Sequence, residues 1–506
     1  MLRSSTLLFL VTLLTQCASA SGDSPSHVIV VSRHGVRTPF SPTGGDLETN
    51  TFQPYSKHWQ EFPVTKESWG VPSIKGQLLT DHGKVVITRM GSYFNTYYNA
   101  LLSTQDCKDY FFYADDCTRD LQTATAFFKG LSNKCAESGG IDQISTEGAK
   151  TLFNQGAVQT EQCGLPPKEE INALVGGSAN NYQAYKSAHT TFVSNVQDVI
   201  ACCSNTKLCK HNGAQPCTLS DITMQYTGQY YAAINGSVYL SGYFASYFML
   251  AALNNMTLGL PSNPRKLSQV TDWYHWSSST LNVVDGASSS PSFASTLASH
   301  VLASLQQAST GEQVDGLLHT PATKLIYMAG HDTNLVLLRT LLDLTWLANG
   351  WRRDDPSPGG MLLFELYDNG IGGHDVEIVF QVATPTQIRN AEILSESNPP
   401  SRTPVLLPGC RTLRCPLTNF TSIVLDAIKQ ECVGLPKLQS YVHTLAAAAA
   451  AAAAPTNAGH LTAPAWEFIV AAVGLVCITA AIVVPLTLFF TRRKQRLSSE
   501  SYLLGK

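Results

Sequence analysis

Three times along the chain, a short apolar run of β-branched and aromatic residues breaks into a charged loop that opens a helical stretch. His27 to Ser32 breaks at Arg33-His34-Gly35-Val36-Arg37-Thr38-Pro39. Asp109 to Ala114 leads through Asp115-Asp116-Cys117-Thr118 into Arg119 and a helical stretch toward Lys129. Lys324 to Ala329 breaks at Gly330-His331-Asp332 before the helix-like Asn334 to Leu344. Runs of this length and composition suit buried parallel strands. In an open α/β sheet the loops just past the carboxyl ends of parallel strands converge on one crevice. The pattern therefore predicts that Arg33, His34, Arg37, Arg119, His331 and Asp332 meet in space.

Three guanidiniums and two imidazoles in one crevice make an anion site, and the guanidinium fork suits phosphate oxygens. A neutral imidazole is a competent nucleophile toward phosphorus, and a carboxylic acid beside it can protonate a departing alkoxide. Phosphoryl transfer asks a protein mainly for positioning and charge stabilisation. The set reads as a phosphohydrolase that needs no metal and no cofactor. Each piece alone is weak, since an Arg after a strand is usually a solvated charge. Arg-His-Gly-x-Arg-x-Pro at fixed spacing after a strand is far more specific.

On that heptad the chain resembles the histidine acid phosphatase family, within the phosphoglycerate-mutase-like superfamily, in its membrane-bound, type I form. Gly330-His331-Asp332-Thr333 is similar to the family's second catalytic motif, and Arg119 with Thr123-Ala124-Thr125-Ala126 to its middle arginine segment. Leu79-Thr80 with Gly83, Phe364-Glu365-Leu366-Tyr367, Leu407-Pro408-Gly409-Cys410 and Cys415-Pro416-Leu417 support the match. The resemblance implies that His34 is the nucleophile that becomes a phosphohistidine and that Asp332 is the proton donor. Arg33, Arg37, Arg119 and His331 would hold the phosphoryl oxygens. The implied fold is α/β, a mainly parallel sheet flanked by helices on both faces, with a mostly helical cap inserted at 130–319 between core segments 21–129 and 320–440. It also implies a local Cys410–Cys415 disulfide and, more weakly, Cys163–Cys432. Asp120 departs from the small or polar residue often found there, and with the cap it leaves substrate choice open.

The ends of the chain read as targeting devices. Arg3, the apolar run Leu7 to Leu14 and Ala18-Ser19-Ala20 resemble a secretory signal over residues 1–20. Phe468 to Phe490 is uncharged and long enough to span a bilayer. Arg492-Arg493-Lys494 follows it, which puts the tail 491–506 in the cytosol. Nine alanines, Ala446 to Ala454, fall within a stalk at 441–467. The expectation is a single-pass membrane protein with a lumenal or extracellular body, at endosomes, lysosomes or the plasma membrane. The tail's Ser501-Tyr502-Leu503-Leu504 resembles a di-leucine sorting signal with its acid, Glu500, one place too close.

Of 13 cysteines, Cys17 lies in the signal and Cys477 in the span, so an odd number remains in the exported part, where disulfides are expected. Cys202, Cys203, Cys209 and Cys217 read as a stapled loop in preference to a zinc knuckle. Sequons at Asn235, Asn255 and Asn419 are candidate glycan sites. Lys and Arg number 34 against 37 Asp and Glu, with no basic run in the body, which argues against nucleic-acid binding. The partner implied is a phosphomonoester; family relatives often dimerise, so a homodimer stays open.

Two other classes compete. One is a metal-dependent phosphohydrolase with His331-Asp332 as half of a site completed by Asp81-His82 or His374-Asp375. The other is a catalytically inactive receptor or adhesion protein on the same fold.

Overall fold

The computed structural model describes residues 24–39, 78–104, 106–138, 144–153, 163–164, 167–177, 180, 182–200, 219–226, 234–257 and 290–453. The signal, the span, the tail, most of the stalk and the Cys202, Cys203, Cys209 and Cys217 group lie outside them. Among the described residues no helix is long and apolar enough to cross a membrane. One compact unit runs to Ala449.

Its frame is an eight-stranded sheet. The strands are β1 (His27–Arg33), β2 (Tyr110–Ala114), β3 (Ile144–Ser145), β4 (Leu325–Gly330), β5 (Met361–Asp368), β6 (His374–Val382), β7 (Ser401–Val405) and β8 (Arg414–Pro416). Their order is β8–β6–β5–β1–β4–β2–β3, with β7 also paired to β6. Val28 to Val31 are fully buried, as expected for a central strand covered on both faces.

The sheet is not mainly parallel, which corrects the expectation. β1, β2 and β3 join β4 in a parallel half through three pairings. The pairs β1–β5, β5–β6, β6–β7 and β6–β8 are antiparallel. The reason is connection length. Asn369 to Gly373 alone separates β5 from β6, and a parallel return needs a crossover of a dozen residues or more.

Helices α1 (Asp81–Tyr97), α2 (Thr118–Leu131), α3 (Ser237–Leu253), α4 (Ser290–Thr310), α5 (Asp332–Leu341) and α6 (Leu417–Ala427) are the longer ones that concern the site and its frame. α4 packs on α5, α6, β1 and β5, whereas α3 packs on the helix Thr190–Ile200. α1 and α2 touch backbone to backbone through reciprocal glycines. A Cβ on Gly91 would lie 2.1 Å from the Phe127 carbonyl oxygen, and one on Gly130 would lie 1.9 Å from that of Thr88.

Disulfides join Cys410 to Cys415, Cys163 to Cys432 and, beyond the sequence reading, Cys107 to Cys135. Among the described residues Cys117 is the free thiol. The Phe364 to Tyr367 motif has a structural explanation. Glu365 is fully buried in β5, where Arg402 reaches it at 2.6 Å and Tyr98 and Tyr367 donate to it.

Candidate active site

Parallel register brings the three loops to one edge. Arg33 pairs with Gly330 across β1 and β4, and Ala114 pairs with Ala329 across β2 and β4. The residues that follow each strand therefore emerge side by side. A fourth loop arrives from the antiparallel half, because β5 starts at this same edge with Met361 opposite Ser32. The Gly359 N–H donates to the His34 carbonyl (2.9 Å), and the Arg33 N–H donates to Gly360 (2.9 Å).

The heptad loop is held from below by α1. Thr80 caps that helix by accepting from the Gly83 N–H at 2.9 Å, and its own N–H donates to the Val36 carbonyl at 3.2 Å. A Cβ at Gly83 would sit 2.0 Å from that carbonyl oxygen, so only glycine lets the helix approach. The Gly35 N–H donates to Thr123 Oγ1 (3.1 Å), and Thr123 donates to the Arg119 carbonyl (2.8 Å). One threonine thus ties the first loop to the second.

His34 is buried. Its Nδ1 lies 2.9 Å from the Gly35 carbonyl, which can only accept, so Nδ1 carries the proton and Nε2 keeps its lone pair. Burial, then Arg119, Arg33, Arg37 and His331, push its pKa well below the usual value for histidine. The imidazole is therefore neutral even in mild acid. The His34 and His331 rings are 5.8 Å apart and nearly perpendicular.

Arg119 Nη2 lies 3.1 Å from His331 Nδ1. Arginine can only donate, so Nδ1 accepts, and Nε2 carries the proton toward Asp115 Oδ2 at 2.6 Å. Burial is the main cause that lowers the His331 pKa, against the raising effect of Asp115. Asn334 fixes the backbone by accepting from the His331 N–H (2.8 Å) and donating to Phe153 (2.7 Å).

Asp332 forms a 3.0 Å ion pair with Arg33, whose other terminal nitrogen donates to the Pro356 carbonyl at 2.6 Å. Desolvation raises the Asp332 pKa, but Arg33, His331, Arg37 and the Thr333 N–H together lower it further, so the net shift is downward. Arg37 donates to the Thr38 carbonyl (2.8 Å). All six residues expected from the sequence gather at this edge. Asp115, Thr123, Asn334 and the Asp355 to Gly360 loop were not among them. The Asp115 signal was its place directly after β2; the loop before β5 carried none.

The competing metal pairs do not converge on His331. His82 binds the Ile388 carbonyl (2.7 Å) and Asp81 pairs with Lys84, while His374 sits opposite Asp368 in the β5–β6 ladder.

Asp355 is fully buried beside this site. Burial lifts its pKa to about 7, with Arg33 pulling down and Asp332 pushing up. A carboxyl raised in the folded state stabilises below its unfolded pKa of about 3.9, and that contribution is lost as pH rises through about 7. Asp355→Asn should therefore gain melting temperature relative to the wild type between about pH 4 and pH 8, with a ceiling of about 4 kcal/mol. A pH-independent difference in thermal denaturation would contradict the shift.

A crevice at the edge of an α/β sheet that holds arginines, a neutral imidazole with a free lone pair and an ion-paired carboxylate defines a phosphoryl-transfer class of site. The chain belongs to the histidine phosphatase superfamily (branch 2), whose family model matches residues 26–381, and it is a phosphoric monoester hydrolase. It is 28% identical over 435 residues to phytase AppA of Escherichia coli, a match that covers 80% of this chain and 92% of the relative. It is 24% identical over 423 residues to the glucose-1-phosphatase of Salmonella typhimurium, covering 79% and 92%. The phytase from Citrobacter braakii shares the fold, with a TM-score of 0.63 at 23% identity over 81% of this chain and 100% of that one.

Proposed function

We propose that this protein is an acid phosphatase that opens phosphate monoesters through a covalent phosphohistidine at His34. The observation that carries the reading is the Nδ1 contact of His34 with the Gly35 carbonyl at 2.9 Å, which leaves Nε2 free as the attacking atom. Arg33, Arg37, Arg119 and His331 hold the phosphoryl oxygens. When the anion arrives between Arg119 and His331, their mutual contact is replaced by two contacts to phosphate. His331 then donates from Nδ1, and Asp115 stabilises the imidazolium that this requires. Asp332 gives its proton to the leaving alkoxide, and water afterwards opens the N–P bond with Asp332 as the base.

The body works outside the cytosol, in the lumen of endosomes or lysosomes or at the cell surface, anchored by residues 468–490. The three disulfides support an oxidising compartment. Asn255 and Asn419 are exposed and fit glycan sites, with Asn235 a third candidate. Phytate and glucose 1-phosphate are the first natural esters to try, in view of the relatives' names.

The test is turnover of an aryl phosphate in mild acid, with and without chelator. Turnover that survives chelation is expected; loss on chelation would favour a metal enzyme, and no turnover at all the receptor reading. For the anchor, a chain stopped near Ala463 should be secreted, soluble and active. Retention of that product in membranes after an alkaline carbonate wash would refute the single-span topology.

A further inference from the structure

Around His331, and bordering the phosphate site through that residue, four donors of mixed softness converge. Asp115, Cys117, Asp120 and His331 each offer a ligand atom, and these atoms all lie within 4.8 Å of one another. His331 Nε2 is 2.6 Å from Asp115 Oδ2 and 3.6 Å from Asp120 Oδ2.

Asp120 is the independent observation. It is fully buried, and neither carboxylate oxygen has a hydrogen-bond partner; its contact with Arg119 Nε is a long 3.8 Å. A buried carboxylate without hydrogen bonds is costly, and Asp120 points that group at the His331 nitrogen. Cys117 is a free, half-buried thiol that begins α2 without capping it through its side chain.

We propose that these four residues form a zinc site that restrains the phosphatase. One thiolate, one imidazole and two carboxylates suit Zn²⁺ and its spectroscopic stand-in Co²⁺ better than Mg²⁺ or Ca²⁺, which take all-oxygen shells. Zinc bonds of about 2.0–2.3 Å put tetrahedral donors roughly 3.3–3.8 Å apart. His331 Nε2 and Asp120 Oδ2, 3.6 Å apart, already stand at that spacing. Binding sends the thiol proton to solvent and moves the His331 proton from Nε2 to Nδ1.

The consequence for phosphate is electrostatic. With zinc, two carboxylates and a thiolate leave the group one negative charge in excess, next to Arg119 and the incoming anion. Zinc and phosphate therefore oppose each other, and the coupling is reciprocal. The inference goes beyond the phosphatase reading, and its spectroscopic test is independent of that reading.

The full-length chain, stripped by chelator and dialysed, is titrated with Co²⁺. One equivalent should give a thiolate-to-cobalt charge-transfer band and the intense visible bands of a tetrahedral ion. Cys117→Ser should lose the charge-transfer band and bind at least about tenfold more weakly, while its metal-free turnover stays close to that of the wild type. Asp120→Asn should also weaken binding. Zn²⁺ should displace cobalt and lower wild-type kcat/KM by about 5- to 150-fold, sparing Cys117→Ser, and inorganic phosphate should weaken cobalt binding. A titration without a charge-transfer band, or the same band in Cys117→Ser, would overturn the site. Equal inhibition of both proteins by Zn²⁺ would overturn its role.

Discussion

Replacing His34 by alanine is expected to abolish turnover, by on the order of 10⁴-fold or more, while inorganic phosphate or vanadate still binds. The variant removes Nε2, the one nitrogen that the 2.9 Å Gly35 contact leaves bare, and keeps Arg33, Arg37, Arg119 and His331. In the wild type, a rapid alkaline quench during turnover of a radiolabelled ester should trap label on the peptide containing Arg33 to Pro39. An N–P bond survives alkali and breaks in acid, whereas a phosphoserine does the opposite. Arg119→Ala should invert the emphasis. Anion binding weakens and slow labelling persists, since the nucleophile remains and charge stabilisation is reduced. Label on a serine, or substantial turnover in His34→Ala, would end the mechanism even for an active phosphatase.

Asp332→Asn should separate esters by leaving group. Alkyl esters need a proton on the departing oxygen and should lose about 10²- to 10⁴-fold; activated aryl esters need little help and should lose far less. Equal losses on both would remove Asp332 from the acid role. The same residue sets the pH profile. In the free enzyme Arg33, His331 and Arg37 hold Asp332 below the usual carboxylate value despite its burial, so it is ionised when substrate arrives. The ester's second pKa is about 6, and below it the monoanion brings the proton that Asp332 then delivers. His34 stays neutral in that range because its pKa is depressed. Activity should therefore peak at roughly pH 4–6 and fall above it; a steady climb to about pH 8 would contradict the assignment.

The local grammar of the site was legible in the sequence because each of its parts is a short-range feature. β1, β2 and β4 follow their apolar runs to within a residue or two, and α2 and α5 begin where the charged loops end. The rule that such loops converge was enough to assemble Arg33, His34, Arg37, Arg119, His331 and Asp332. The sequence by itself also determined the cysteine arithmetic: an odd count between residues 21 and 467 requires a thiol outside any internal pair, and Cys117 is one among the described residues.

What only the tertiary structure decided depends on partners far apart in the chain. The antiparallel half of the sheet followed from the short return between β5 and β6 and from pairings that no local pattern encodes. That half delivers Pro356 and Gly360 to Arg33 across more than 300 residues. Which nitrogen of each histidine carries its proton was settled by neighbours, the Gly35 carbonyl for His34 and Asp115 with Arg119 for His331. Asp120 read in the sequence as a departure from a family pattern. Its burial without a hydrogen bond, 3.6 Å from His331 Nε2, exists only because parallel register sets the start of α2 beside the end of β4. A protonation state or a ligand set depends on distances of a few ångströms, and the fold sets those distances between residues hundreds of positions apart.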